Sequence, residues 1–341
     1  MSEEFFGMRS GAPGDAMSAD GTDLDPDIRR FVREVSAAFA SHAGFSTMSY
    51  PQQREIAAAV RARWAKGGPV MARTRDISVP HQGGAVRVRV HEPALSEGVK
   101  PALIYLHGGG WTLFSIETHD RLMREYAARA GIVVIGVDYA LSPEHRFPVA
   151  LDQVIEVVRW AQLGDKAHDL PIDAKRIALG GDSAGGNLAL AAALSFREAG
   201  ESRRLAALVL NYAALDTTCS SDSLARFGNE HYMLGGEEMN QFWSNYGVAS
   251  AALALNPLIC PARAQLHGLP PTHFTIAECD ILAEQNIAAA EKMRGVGGNV
   301  VSCVYEGASH SFLEAMSIAS LSVRAIDDTC TWLGEIFRRP P

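Results

Sequence analysis

Residues 181 to 185 read Gly-Asp-Ser-Ala-Gly, the spacing in which a serine is held on a cramped strand-to-helix bend with its hydroxyl turned outward. Side chains two positions before and two after it would collide there, so both positions are glycine. The pentapeptide alone is a weak pattern. Its flanks carry more weight: an apolar strand-like run from Arg176 to Gly181 and an alanine-rich helical stretch after Gly185. The chemistry such a bend supports is acyl transfer, because a helix N-terminus offers free amides and positive dipole to the charge that develops when Ser183 attacks a carbonyl. The plain alternative is that Ser183 is ordinary punctuation between two elements.

A nucleophilic serine needs a base, and the base needs an orienting acid. Of the eleven histidines, His310 sits in a short loop immediately after a late buried strand, where strand-end residues converge. His273 begins a strand and falls at the opposite edge, and His267 lies inside a long insertion. Asp280 ends the run Thr272 to Cys279 as His310 ends the later one, and the chain order Ser183, Asp280, His310 is the one this architecture requires. Asp216, after the preceding strand, is the runner-up acid. A third requirement is donors for an oxyanion, and Leu106-His107-Gly108-Gly109-Gly110-Trp111 supplies bare backbone that can turn N–H groups into a cavity. His107 is expected to brace that loop and not to exchange protons.

These residues need a frame. Short apolar runs at 102–107, 132–139, 176–181, 205–213, 272–279 and 300–307 are too uniformly hydrophobic for a one-sided sheet, and helical patterns separate most of them. The alternation predicts an α/β fold with a mainly parallel sheet, covered on both faces, whose strand ends form the site. Ahead of it, Val86, Val88 and Val90 alternate with Arg87 and Arg89, which predicts an antiparallel hairpin with the arginines on a solvated face. Two amphipathic helices precede the first strand. Asp25 caps one with Pro26 at its first position and Ile28, Phe31, Val32, Val35 and Phe39 on one face; the other follows Pro51 with Ile56, Val60 and Trp64 aligned. Residues 1–24 are without periodicity and read as a mobile leader. Residues 214–271 break the rhythm as an insertion. Within it Met239, Phe242, Trp243 and Tyr246 share helical spacing, as a lid over an apolar pocket or, more plainly, as core packing.

Bulk properties narrow the classes. A chain of 341 residues, 47% hydrophobic and 21% charged, affords a sizeable core and is neither disordered nor fibrous. A net charge of -8 gives no positive field for phosphates, so nucleic acid and anionic membrane are poor partners. No run of roughly eighteen apolar residues predicts a spanning helix. Five cysteines without C-x-x-C pairing suit reduced thiols and a cytoplasmic location.

Five blocks in order, "HGGGW", "VDYALSPEHRFPVALDQV", "GGDSAGGN", "ECDILAEQ" and "EGASHSF", resemble the hormone-sensitive lipase family of α/β-hydrolases, over roughly residues 75–338. The resemblance implies Ser183 as nucleophile, His310 as base and Asp280 as its partner, with Gly109, Gly110 and Ala184 donating backbone N–H groups to the oxyanion. It also implies a catalytic domain over 75–341, with the helices of 25–74 and the insertion 214–271 contributing to a helical cap. Short acyl esters, acetate to hexanoate, are the implied substrates, with Trp111, Phe114, Tyr212, Phe242 and Trp243 as pocket walls. Two blocks depart from the family pattern: Tyr139-Ala140-Leu141-Ser142-Pro143-Glu144 stands for Y-R-L-A-P-E, and Asp280-Ile281-Leu282-Ala283-Glu284-Gln285 for D-P-L-R-D-E. Both spare the catalytic atoms. The expected reaction is serine carboxylester hydrolysis through an acyl-enzyme, calling for no cofactor and no metal. The expected partner is a small-molecule ester, without nucleic acid or membrane insertion, and a homodimer is left open. Two other readings share these residues: an amide hydrolase or deacetylase with the same triad, and a non-catalytic small-molecule receptor on the same fold.

Overall fold

The computed structural model describes residues 21–93, 98–164, 170–201 and 204–339. The leader expected over 1–24 lies outside them as far as residue 20. Leu24 is buried, and the Asp25 amide donates to the Gly307 carbonyl at 3.0 Å.

Two helices come first, α1 (Pro26–Ala40) and α2 (Tyr50–Ala62). The Asp25 carboxylate accepts from the amides of Asp27 and Ile28, and Ile28, Phe31, Val32 and Val35 are buried as their spacing requires. Ser49 and Gln52 close a reciprocal cap on α2. Trp64, just beyond α2, packs edge-on against Phe31 with ring centroids 4.8 Å apart.

The sheet has eight strands: β1 (Arg73–His81), β2 (Gly84–Glu92), β3 (Lys100–Leu106), β4 (Val133–Asp138), β5 (Ile172–Asp182), β6 (Ala207–Asn211), β7 (Thr272–Cys279) and β8 (Val300–Ser309), in the order β1-β2-β4-β3-β5-β6-β7-β8. β1 and β2 form the expected antiparallel hairpin, β2 pairs antiparallel with β4, and every later pairing is parallel. Val86, Val88 and Val90 are buried beneath the hairpin. Its other face differs from the solvated one expected: Arg87 and Arg89 meet Asp76, Glu117, Asp120 and Asp138, and the Arg89 side chain is only 17% exposed. Three acids within reach, Asp76, Glu117 and Asp120, hold Arg89 charged, its pKa raised chiefly by the paired hydrogen bonds to Asp76.

Strand limits follow local geometry. β6 stops at Asn211, short of residue 213, because Tyr212 turns the chain with φ 36°. β5 begins at Ile172, ahead of Arg176, because Ile172 pairs with Lys100 before a bulge resets the register. Five longer helices cover the sheet: α3 (Asp120–Ala130), α4 (Val149–Ala161), α5 (Ala184–Glu198), α9 (Ala283–Gly295) and α10 (Ser320–Arg338). The insertion carries α6 (Ser221–Phe227), α7 (Gly236–Tyr246) and α8 (Ala251–Ala254).

α2 is strapped to the loops at the strand ends. Arg54 donates to the carbonyls of Thr112 and Ser142 at 2.8 and 2.9 Å and forms a two-bond pair with Glu144. The Tyr50 hydroxyl reaches Asn245 of α7 at 2.8 Å.

Candidate active site

Ser183 occupies the turn between β5 and α5 with φ 53° and ψ -117°, a conformation an L-residue tolerates only where the surroundings enforce it. The neighbouring glycines show the enforcement. A Cβ on Gly185 would overlap the Leu106 carbonyl oxygen, one on Gly181 would overlap that same oxygen, and one on Gly186 would come to 2.6 Å from the Ala213 Cβ. The bend therefore packs directly on the end of β3, which starts the glycine loop. Hydrogen bonds from the Ser183 amide to the Asn211 carbonyl and from Asn187 to the Ser183 carbonyl hold it in place.

The structure brings the three sequence-predicted side chains into one line. His310 Nε2 lies 3.0 Å from Ser183 Oγ, and His310 Nδ1 lies 2.6 Å from Asp280 Oδ2. The other Asp280 oxygen accepts the Leu282 amide at 2.9 Å, which fixes the carboxylate plane. All three residues are buried, with Ser183 and His310 each 6% exposed on a cavity wall. Burial by itself would lower the His310 pKa, but the Asp280 carboxylate more than offsets it and the group titrates above its ordinary 6.5. Asp216 is elsewhere, paired with Arg263 at 2.7 Å. His273 is buried at the far end of β7 beside Trp332, its pKa lowered by burial to about 4.

The glycine loop faces the serine across the cavity. Gly109 and Gly110 have φ of 106° and 59° and line it with Ser183, and neither amide donates to a carbonyl among the described residues. The Ala184 amide stands at the first position of α5, where an N–H has no acceptor within the helix. His107 braces the loop: Nδ1 is 2.7 Å from the Gly108 carbonyl, the ring stacks on Tyr139 at 4.3 Å, and burial lowers its pKa to about 3, so it stays neutral.

Asp182 is the residue the sequence reading missed. Its buried carboxylate accepts the Tyr105 hydroxyl at 2.9 Å and the Gly108 amide at 3.1 Å, tying the serine bend to the glycine loop. The signal was available within the pentapeptide itself, as an acid closing an otherwise apolar strand.

The cavity measures about 640 Å³ and is walled by α1, α2, the glycine loop and residues 228–238 with Phe242 of the insertion. Of the five aromatics expected to line it, Phe114 and Phe242 do so. Trp111, Tyr212 and Trp243 do not, and that part of the expectation is corrected. Trp111 turns inward with φ 57° and stacks on Tyr246 at 4.3 Å, with Trp243 4.5 Å from it; Tyr212 lies behind the wall, its ring 5.0 Å from that of His310. Met239, Trp243 and Tyr246 thus form core, while their helix neighbour Phe242 faces the cavity. Among the described residues, the non-glycine positions with positive φ are Trp111, Phe114, Ser183, Tyr212 and Ser311, all in the loops around this cavity.

Comparison with known proteins gives the same frame. A family model described as the alpha/beta hydrolase fold matches residues 103–314. Ethyl acetate hydrolase of Pseudomonas putida is 35% identical over 250 residues, covering 71% of this chain and 76% of that protein. Carboxylesterase NlhH of Mycobacterium tuberculosis is 31% identical over 82% of this chain and 85% of its own length. Among solved structures, the hyperthermophilic esterase from Pyrobaculum calidifontis superimposes with a TM-score of 0.84 at 31% identity, over 93% of this chain and 99% of that one. EstE1, a thermostable carboxylesterase cloned from a metagenomic library, gives 0.80 at 32% identity over 86% and 99%. With a family model matched over residues 103–314 and relatives above 30% identity over more than two thirds of its length, the chain belongs to the hormone-sensitive-lipase-like family of α/β-hydrolases.

Proposed function

We propose that the protein is a serine carboxylesterase that cleaves short-chain acyl esters through an acyl-enzyme. The observation that carries this reading is the relay from Asp280 through His310 to Ser183, with contacts of 2.6 and 3.0 Å, opening on a cavity edged by Gly109 and Gly110. Ser183 Oγ attacks the ester carbonyl carbon while His310 Nε2 takes its proton, and Asp280 holds the imidazolium that forms. The oxyanion receives N–H donors from Gly109, Gly110 and Ala184. As the tetrahedral intermediate collapses, the C–O bond breaks and His310 returns the proton to the departing alcohol. Water, deprotonated by the same nitrogen, then attacks the acyl carbon and releases the acid and Ser183.

Segments 25–74 and 214–271 act as the cap in this proposal, since both contribute walls to the cavity. The enclosed volume and the Phe114 and Phe242 rings favour small acyl groups. The five free cysteines accord with a reducing, cytoplasmic setting. The test is a series of nitrophenyl esters from acetyl to dodecanoyl with matched anilides. The expected result is the highest kcat/KM at or below hexanoyl and a much lower rate on anilides. A best rate on long-chain emulsions would overturn the chain-length claim, and equal anilide turnover would favour an amide hydrolase.

A further inference from the structure

Behind the serine bend lies a buried chain of charged side chains that the hydrolytic relay does not use. Asp182 Oδ2 is 3.3 Å from His119 Nε2, the same nitrogen is 3.9 Å from Glu314, and Glu314 is 2.9 Å from Arg61 Nη1. All four residues are at most 3% exposed. Each comes from a different part of the chain: Asp182 from the end of β5, His119 from the residue before α3, Glu314 from four residues beyond His310, and Arg61 from α2.

Two buried carboxylates are expensive unless matched by two positive charges. Arg61 supplies one, its guanidinium also lying over the Phe114 ring at 4.7 Å. Among the described residues, His119 is the one placed to supply the other. Its second nitrogen points the same way: Nδ1 is 3.0 Å from Thr118 Oγ1, whose own proton is donated to the Ser115 carbonyl at 2.8 Å. Nδ1 must then donate to Thr118, and Nε2, facing carboxylates that only accept, must donate as well. An imidazole with two N–H groups is a cation.

We propose that His119 is a positioning residue, held as an imidazolium between Asp182 and Glu314, whose charge keeps the serine bend, the glycine loop and the His310 loop in one arrangement. The role in turnover rests on the esterase reading above; the charge state does not. Asp182 carries the arrangement to the Gly108 amide, and Glu314 carries it to the loop of His310 and, through Arg61, to the cap helix. The raised His119 pKa agrees: burial opposes the charge, and the Asp182 carboxylate outweighs burial. The charged and titratable groups facing this ring are Asp182, Glu314, Arg61 and His107, with Tyr105 and Tyr212 next to the carboxylates. Burial keeps His107 neutral and both tyrosines protonated, so none of these replaces the charge of His119 near neutrality.

Two measurements test this. Nitrogen NMR of the histidine-labelled Ser183→Ala protein, assigned by difference against His119→Gln, should show His119 with two ring N–H groups at about pH 7.5, where a free imidazole is neutral. A single neutral tautomer there would overturn the proposal whether or not the protein hydrolyses esters. In the active protein, Glu314→Gln, nearly isosteric, should move the alkaline fall of kcat toward lower pH by about one unit with KM changed less than about twofold. A uniform loss of kcat at every pH, with the alkaline limb unmoved, would also overturn it. Organophosphate labelling of Ser183 in the same preparation separates failure of the positioning claim from failure of the esterase reading.

Discussion

His310 can accept a proton from Ser183 only when its ring is neutral, so the group that raises its pKa also sets the lower working limit of the site. Asp280 at 2.6 Å holds the imidazolium more firmly than burial disfavours it, and the His310 pKa lies above the ordinary 6.5. The acid limb of kcat/KM is therefore expected to have its midpoint above pH 6.5, with rates rising as pH rises through it. Asp280→Asn should lower that midpoint and cut turnover by about a thousandfold or more, since the ring loses both its charge partner and its fixed tautomer. A midpoint unchanged in the variant would mean that another group sets the limb. At this scale the triad was legible because Ser183, Asp280 and His310 each follow an apolar run, and strand ends meet in space. The inward turn of Trp111 and Tyr212 was not legible: each depends on a positive φ that no residue type in these loops announces.

Elements decide which side chains reach the cavity. α7 places Met239, Trp243 and Tyr246 toward the core and leaves Phe242 over the glycine loop, so close that a Cβ on Gly110 would overlap its ring. Phe242→Ala removes that wall and leaves the core face intact. The variant is expected to shift the preferred acyl length upward by about two to four carbons and to leave the rate on acetyl ester within about threefold, read from kcat/KM over the ester series. A preference unchanged at hexanoyl and below would show that another residue limits the chain. The helix itself was legible in its apolar spacing, as was α1 in its Asp25-Pro26 start. The strap from α2 was not, because Arg54 and its partner Glu144 are ninety positions apart and only the folded chain brings them together. Asp182 was hidden for a related reason, its partners Tyr105, Gly108 and His119 lying on other elements.

Among the described residues, three histidines are folded in as neutral rings: His91, with pKa lowered to about 4, His107, lowered to about 3, and His273, lowered to about 4, each chiefly by burial. Unfolding frees them to bind protons at the ordinary value of 6.5, so the unfolded state takes up protons between that value and about pH 4 while the native state does not. His119 and His310, with raised pKa values, are charged in the native state throughout this window and oppose the slope only near its upper end, where the unfolded rings are still gaining protons. Stability should fall as pH drops from about 6.5 to 4, at up to about 1.4 kcal/mol per pH unit for each neutral histidine. Urea midpoints measured across that range check it, and a flat profile would show that these rings gain protons without unfolding. The α/β architecture that buries them was legible in the alternation of apolar runs and helical patterns, whereas the charge lattice around Arg87 and Arg89 was not, since its acids come from three separate segments. The most direct test of the central claim is the intact mass of the protein after exposure to diisopropyl fluorophosphate. The account expects one phosphoryl adduct, on Ser183, appearing in step with loss of ester hydrolysis and absent from Ser183→Ala. An unmodified mass, or hydrolysis that survives full modification of Ser183, would contradict it.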